Sequence, residues 1–430
     1  MEDERKKAEV LENYYKWRRS DAAKEYWVKR DQKRQTDQNY NDLATSNSIG
    51  ASSCSCSSSA TSTTSVQSIS LAEAKELMVP KITIANNSSS NQNYVQSLTN
   101  FKHGIFESLD TSLLSFEANL QHLLALSNIM FIRKYSYHPD LEIHFTESIC
   151  DFRQNLYDSV GYDCSIDEFP KDTMLDIITI VNNINCGLID KSIANNKMSN
   201  LINEQKGHIV IKLLSSIRSM IDVLPMRNQK KNVEESELCT RYLQPLFQKL
   251  FDSSNGDFLF KWTNTLPLID DSNDKKRPDG LVENDHKVIG YFEVKAIKHV
   301  KDHKKVNIDL HRLCLFSKRA ITKFKLKHTF QVMAIGTNVQ FYVSTTLGGI
   351  LSIVELDHIR LPLSIDELPQ FIPYLGRLYN VVKTTYECCY NQQEISVYDF
   401  GSSLEPKIVK AITENSTDRT RENCFYYAYH

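Results

Sequence analysis

The strongest chemical signal lies in the run Lys287 to Ile297, read K-V-I-G-Y-F-E-V-K-A-I. As a strand it places Val288, Gly290, Phe292, Val294 and Ala296 on one face, and Ile289, Tyr291, Glu293, Lys295 and Ile297 on the other. A strand covered on both sides should be apolar throughout. Glu293 and Lys295 fall in the middle of the best strand of the chain, and buried charges persist only when paired, metal-bound or functional. The preceding strand supplies Asp279, within Arg277-Pro278-Asp279-Gly280, and a turn at Asn284-Asp285 sets it diagonally across from Glu293. Two carboxylates at that reach suit one hard divalent cation, Mg2+ or Mn2+, which keeps several waters. Such a cation polarises a phosphate and activates water. Lys295, two residues on, would orient that water or neutralise developing phosphorane charge. The bland alternatives are a same-face ion pair on an edge strand, contributing at most ~1 kcal/mol, and ordinary Pro-Asp-Gly turn chemistry for Asp279.

A basic window follows directly. Lys295 to His328 holds eleven Lys/Arg and two acids, Asp302 and Asp309. Lys298, Lys301, Lys304 and Lys305 fall in a loop, and Arg312, Lys318, Arg319 and Lys323 on a helix. This is the footprint expected for a phosphate backbone. A solvated basic face is the alternative. His299 and His303 are four apart but lack a third ligand for zinc.

The elements that position these groups are readable around them. A helix spans Glu234–Leu250 and contains Pro245. Strand runs follow at 258–262, 266–269, 278–283 and 287–297, then a helix at 306–324. Further strand runs cover 329–336, 340–345 and 350–359. Within these runs, a core of order α-β-β-β-α-β-β is expected, an α/β core with a mixed sheet.

Asp279 followed by Glu293-Val294-Lys295 on adjacent strands resembles the PD-(D/E)XK (restriction-endonuclease-like) nuclease superfamily. The likeness covers about residues 230–360 and looks most like fungal members with Arg-Pro-Asp followed by Glu-Val-Lys. It implies metal-dependent phosphodiester hydrolysis, most simply of DNA, with Asp279 and Glu293 as metal ligands and Lys295 as activator. It also implies a backbone ligand at the Val294 carbonyl and a carboxylate from the helix before the strands. Glu237 stands where that carboxylate belongs, as an outer or second-metal ligand, with Glu234 and Glu235 as rivals. The competing reading is a catalytically inactive member of the same fold, acting as a nucleic-acid or protein interaction module.

The rest of the 430-residue chain divides by composition. Residues 1–35 read as a charged helix with interleaved aromatics. Residues 36–99 read as a disordered linker: Leu43–Ala72 has twelve Ser, four Thr and no charge, too little apolar area to offset backbone ordering. Residues 100–225 read as all-α, a surface for a protein partner or self-association. The α/β domain occupies 226–362, and 363–430 is a helical, then irregular, extension. His122, His138, His144 and His208 are scattered without metal-ligand spacing, so no metal site is expected among them. A formal charge of −2 excludes a uniformly basic coat. No apolar run is long enough for a membrane span, and the charged start lacks a secretory h-region. Ten cysteines without a CxxC pair fit a reducing compartment, nucleus or cytoplasm.

Overall fold

The apolar runs of the second half assemble into one mixed sheet. The computed structural model describes residues 69–82, 92–145, 149–163, 169–228, 233–262, 277–284, 287–392 and 400–414. All belong to one compact unit, Val66–His430. The expected helix at 1–35, the linker up to residue 68 and the strand run at 266–269 lie outside the described residues.

Seven strands form the sheet in the order β1-β7-β6-β5-β4-β3-β2. They are β1 Ile129–Ile132, β2 Leu259–Trp262, β3 Gly280–Asn284, β4 Lys287–Lys295, β5 Thr329–Ile335, β6 Asn338–Leu347 and β7 Ile350–Arg360. β4 pairs with β3 antiparallel and with β5 in parallel. Parallel neighbours need a crossover, and the helix His303–Phe324 supplies it.

In chain order the helices begin with α1 Leu71–Ile82, α2 Gln92–Ser108, α3 Leu120–Leu126, α4 Pro139–His144, α5 Ile149–Val160, α6 Lys171–Asn185, α7 Lys191–Glu204 and α8 His208–Val223. They continue with α9 Glu235–Glu237, α10 Gln244–Phe251, α11 His303–Phe324, α12 Leu368–Phe371, α13 Leu375–Thr385 and α14 Pro406–Ile412. Between α9 and α10 the residues Leu238–Leu243 are π-helical. Pro245 follows at once. Proline lacks an N–H and crowds the carbonyl four residues back, so the widened turn takes up the misfit.

The two faces of β4 are covered differently. Phe292 packs among Phe247 and Phe251 of α10, Phe260 of β2 and Phe330 of β5, at centroid distances of 4.8–5.8 Å. On the opposite face, Tyr291 stacks on Phe316 of α11 at 5.7 Å. Gly290 is required on the first face: a Cβ there would overlap the Phe330 ring. Gly290→Ala should therefore destabilise the fold by about 1–3 kcal/mol through overpacking, read from the urea midpoint.

Three boundaries differ from those the sequence suggests. Residues 100–225 are not all helical, because Ile129–Ile132 forms the sheet-edge strand β1, paired in parallel with Leu351–Val354. The linker expected to reach residue 99 is helical in α1 and from Gln92 onward. The regions 100–225, 226–362 and 363–430 are not separate, since one contiguous apolar core joins them. α8, for example, packs against α10 and α13.

Candidate active site

β4 carries Glu293 and Lys295 on the face covered by α11, and the two residues are 1% and 6% exposed. Register brings Asp279 beside them. Gly280 pairs with Phe292, so Asp279, one step earlier, is level with Glu293 rather than diagonal to it. Its own N–H donates to the Phe292 carbonyl at 3.0 Å. Its Oδ2 accepts the Val294 N–H at 2.7 Å. The carboxylate is thereby tied to the strand that bears the other two groups.

α11 completes the cluster with two residues one turn apart. Lys295 Nζ lies 2.9 Å from Asp309 Oδ2. Arg312 Nη1 is 2.6 Å from Asp309 Oδ1, and Arg312 Nη2 is 3.4 Å from Glu293 Oε1. Arg312 Nη2 also donates to the Arg277 carbonyl at 2.7 Å, fastening the helix to the segment that carries Asp279. Lys295 Nζ donates to the Val294 carbonyl at 2.9 Å, so an ammonium faces the carbonyl expected to serve as backbone ligand.

Burial, and then the neighbouring Asp279, hold the Glu293 carboxyl well above the ordinary carboxylate range; Arg312 only partly offsets this. Burial alone would lower the Lys295 ammonium, but Asp309, Asp279 and Glu293 outweigh it and keep it above its ordinary value. Lys295 is thus a cation, not a neutral base, in this arrangement. Glu293 Oε1 is buried and accepts no hydrogen bond.

Of the helix acids, Glu235 is half-buried and Glu237 is exposed. Burial raises the Glu235 carboxyl, and the charges acting on it are Lys295, Asp279, Lys305 and Asp309. Glu237 instead pairs with Arg241 at 3.1 Å on the exposed side. Residues two apart on a helix face different directions, so only one of them can meet the strands. Sequence reasoning also missed Asp309, which it took merely as an acid within the basic window. Its spacing of three from Arg312, beside the apolar stripe of Leu310, Leu313 and Phe316, was the available signal.

The basic window divides. Lys301 and Lys305 are exposed, with Lys305 Nζ 3.2 Å from His299 Nε2. Lys298 pairs with Glu234 at 2.6 Å. Lys304, Arg312 and Arg319 line a groove of about 330 Å³ between α11 and α14, with an apolar floor that includes Phe116, Leu315 and Phe316. Lys318 is not available to phosphates. It is buried, and its Nζ donates to the Ser127 and Phe400 carbonyls at 2.7 and 3.4 Å. The helical stripe that contains Ser317 and Cys314 faces the core, and Lys318 turns with it.

Asp279, Glu293, Asp309 and Glu235 set four carboxyl groups beside the cations Lys295 and Arg312. A hard divalent ion matches this all-oxygen donor set. It would also use the coordination capacity of Glu293 Oε1, which accepts no hydrogen bond. No protein-family model, curated protein or solved structure matches this chain.

Proposed function

We propose that the chain is a metal-dependent nuclease of restriction-endonuclease-like fold that hydrolyses phosphodiester bonds in nucleic acid, DNA first. The observation that carries this reading is that the β3–β4 register sets Asp279 beside Glu293 and Lys295 on adjacent strands, with Lys295 fixed by Asp309. Asp279 and Glu293 would hold Mg2+ or Mn2+, with Glu235 as outer ligand. A cation bound there supplies Lewis-acid polarisation of the phosphate and a more acidic water. Lys295, held by Asp309, presents a fixed positive charge to the phosphorane oxygens as they become more negative. Asp309 positions that ammonium, and Arg312 clamps α11 onto Glu293 and the Arg277 carbonyl. The fold reading is supported by the helix, the β3–β4 hairpin carrying both acids, and the α11 crossover to a parallel β5.

The test is calorimetric titration with Mg2+ and Mn2+, together with nicking of supercoiled plasmid and cleavage of single-stranded DNA and RNA. A protein that binds neither metal and cuts no substrate would leave only a binding module of this fold.

The surface lysines give a second check. Lys301, Lys304 and Lys305 changed to Ala should weaken nucleic-acid binding. The slope of log K against log salt should flatten by about 0.9 for each phosphate of duplex DNA that is no longer neutralised. Lys318→Ala should leave the slope unchanged and lower stability instead. The reverse pattern would place the binding surface elsewhere.

The third check is pH. In the metal-free fold, Glu293 keeps its proton above the ordinary 4.5. The unfolded chain therefore loses this proton first as pH rises. Stability falls from about pH 4.5 through the raised folded value, while affinity for the cation climbs over the same range. Glu293→Gln should flatten this component in chelator-treated protein, read by urea denaturation at pH 5 and pH 8. Equal pH dependence in both proteins would remove Glu293 as its source.

A further inference from the structure

A second cluster of ligating groups forms where α3 meets the start of α4. His122 belongs to α3, whose residues are all buried. His138 is the N-cap of α4, and Asp140 lies in its first turn. The ligating atoms of these three residues lie within 4.8 Å of one another. His122 Nε2 is 3.1 Å from Asp140 Oδ2, and His138 Nδ1 is 3.6 Å from the same oxygen. Ligands at about 2.0–2.1 Å around a tetrahedral zinc lie roughly 3.3 Å apart, a value between these two separations. The His122 and His138 rings meet edge to face at 4.4 Å, and Phe101 of α2 packs 5.1 Å from the His122 ring.

We propose that His122 Nε2, His138 Nδ1 and Asp140 Oδ2 form a binding site for a zinc-class divalent ion, with water as the fourth ligand. Two imidazole nitrogens favour zinc over magnesium or calcium, which take oxygen donors. The side chain of Asp140 is 53% exposed, which leaves the solvent side of the site open for entry and for the water.

The ion would come between His122 Nε2 and Asp140 Oδ2 and replace their direct contact. The N–H of Asp140 donates to His138 Nδ1 at 3.2 Å in the metal-free chain. Coordination there would exchange this cap bond for a metal bond. The ion would then tie α3 to the start of α4, two elements otherwise joined through β1. The site shares no residue with the proposed nuclease centre.

The experiment is zinc titration of the chelator-stripped full chain against a chromogenic competitor, with cobalt(II) absorption as a geometric readout. Wild type should take up one equivalent that gives a tetrahedral cobalt spectrum and raises the melting temperature. His138→Ala and Asp140→Asn should each weaken that equivalent at least tenfold and remove the stabilisation by zinc. Glu293→Gln should retain it, which separates this site from the nuclease centre. Asp140→Asn alters a half-exposed side chain and keeps the backbone cap, so its fold is secure when the buried His122 variant is not. Wild type that binds no zinc, or binds it equally in the His138 and Asp140 variants, overturns the assignment.

Discussion

Glu293→Gln is expected to abolish both magnesium binding and strand cleavage, because a neutral amide is a poor ligand for a hard cation. The fold should survive, since the change removes a carboxyl that burial already disfavours as an anion. Lys295→Ala should behave differently. The cation ligands remain, so metal affinity is kept, while turnover falls by about 10²–10³-fold through loss of a fixed positive charge at the transition state. Because Lys295 also pairs with Asp309, Lys295→Met is the companion variant, retaining the packed stem. Both lysine variants should bind DNA as wild type does, the surface lysines being untouched. A single metal-titration and plasmid-nicking series on wild type and the three variants separates the possibilities. Equal cleavage by wild type and Glu293→Gln would remove the mechanism, whatever the fold.

The second large effect concerns stability at the far edge of the sheet. Arg133, just past β1, places Nε 3.1 Å from Glu355 Oε2 of β7, and the Lys134 N–H donates to the same oxygen at 3.2 Å. The Arg133 and Glu355 side chains are 3% and 0% exposed. Arg133→Met should cost about 3–5 kcal/mol, because it takes the paired guanidinium away from a fully buried carboxylate. Adding Glu355→Leu should recover much of the loss, since an apolar pair of similar volume carries no desolvation penalty. Urea denaturation of the single and double variants measures the coupling. Next to this pair, Asp357 is held by Lys134 at 2.9 Å and by Arg377. Burial would raise its carboxyl, but these two cations outweigh it and leave it below its ordinary value. A loss of under 1 kcal/mol in Arg133→Met would mean that the edge is not held by this charge.

The sheet was largely legible because β4 to β7 are near-continuous apolar runs bounded by turn residues, and α11 has a clear helical stripe. Asp279, Glu293 and Lys295 were legible because strand parity and one hairpin suffice to bring them together. What escaped depends on contacts far apart in sequence. Ile129-Met130-Phe131-Ile132 is a short apolar run that periodicity cannot tell from helix, and only its pairing with β7 makes it a strand. α1 was absorbed into the serine-rich composition, although Ser70-Leu71-Ala72-Glu73 is a capping box. The Ser70 N–H donates to Glu73 Oε2 at 2.7 Å, and the Glu73 N–H to Ser70 Oγ at 3.2 Å. Lys318 was read by charge alone, whereas its helical phase turns it inward. Glu235 and Glu237 differ only in that same phase, which the π-helical turn before Pro245 makes hard to predict. The His122, His138 and Asp140 cluster has no linear spacing to find, since packing of α3 against the start of α4 creates it.

The position of β1 sets a timetable for biosynthesis. Its residues leave the ribosome early, yet their pairing strand and the Glu355 that neutralises Arg133 lie 222 positions downstream. At translation rates of about 5–20 residues per second, the wait is roughly 10–45 s. Throughout it, four consecutive apolar side chains and an unpaired strand edge are presented to solvent or to any chaperone at the exit tunnel. Ile129–Ile132 can gain its pairing partner only once Leu351–Val354, in the last strand of the sheet, has been made.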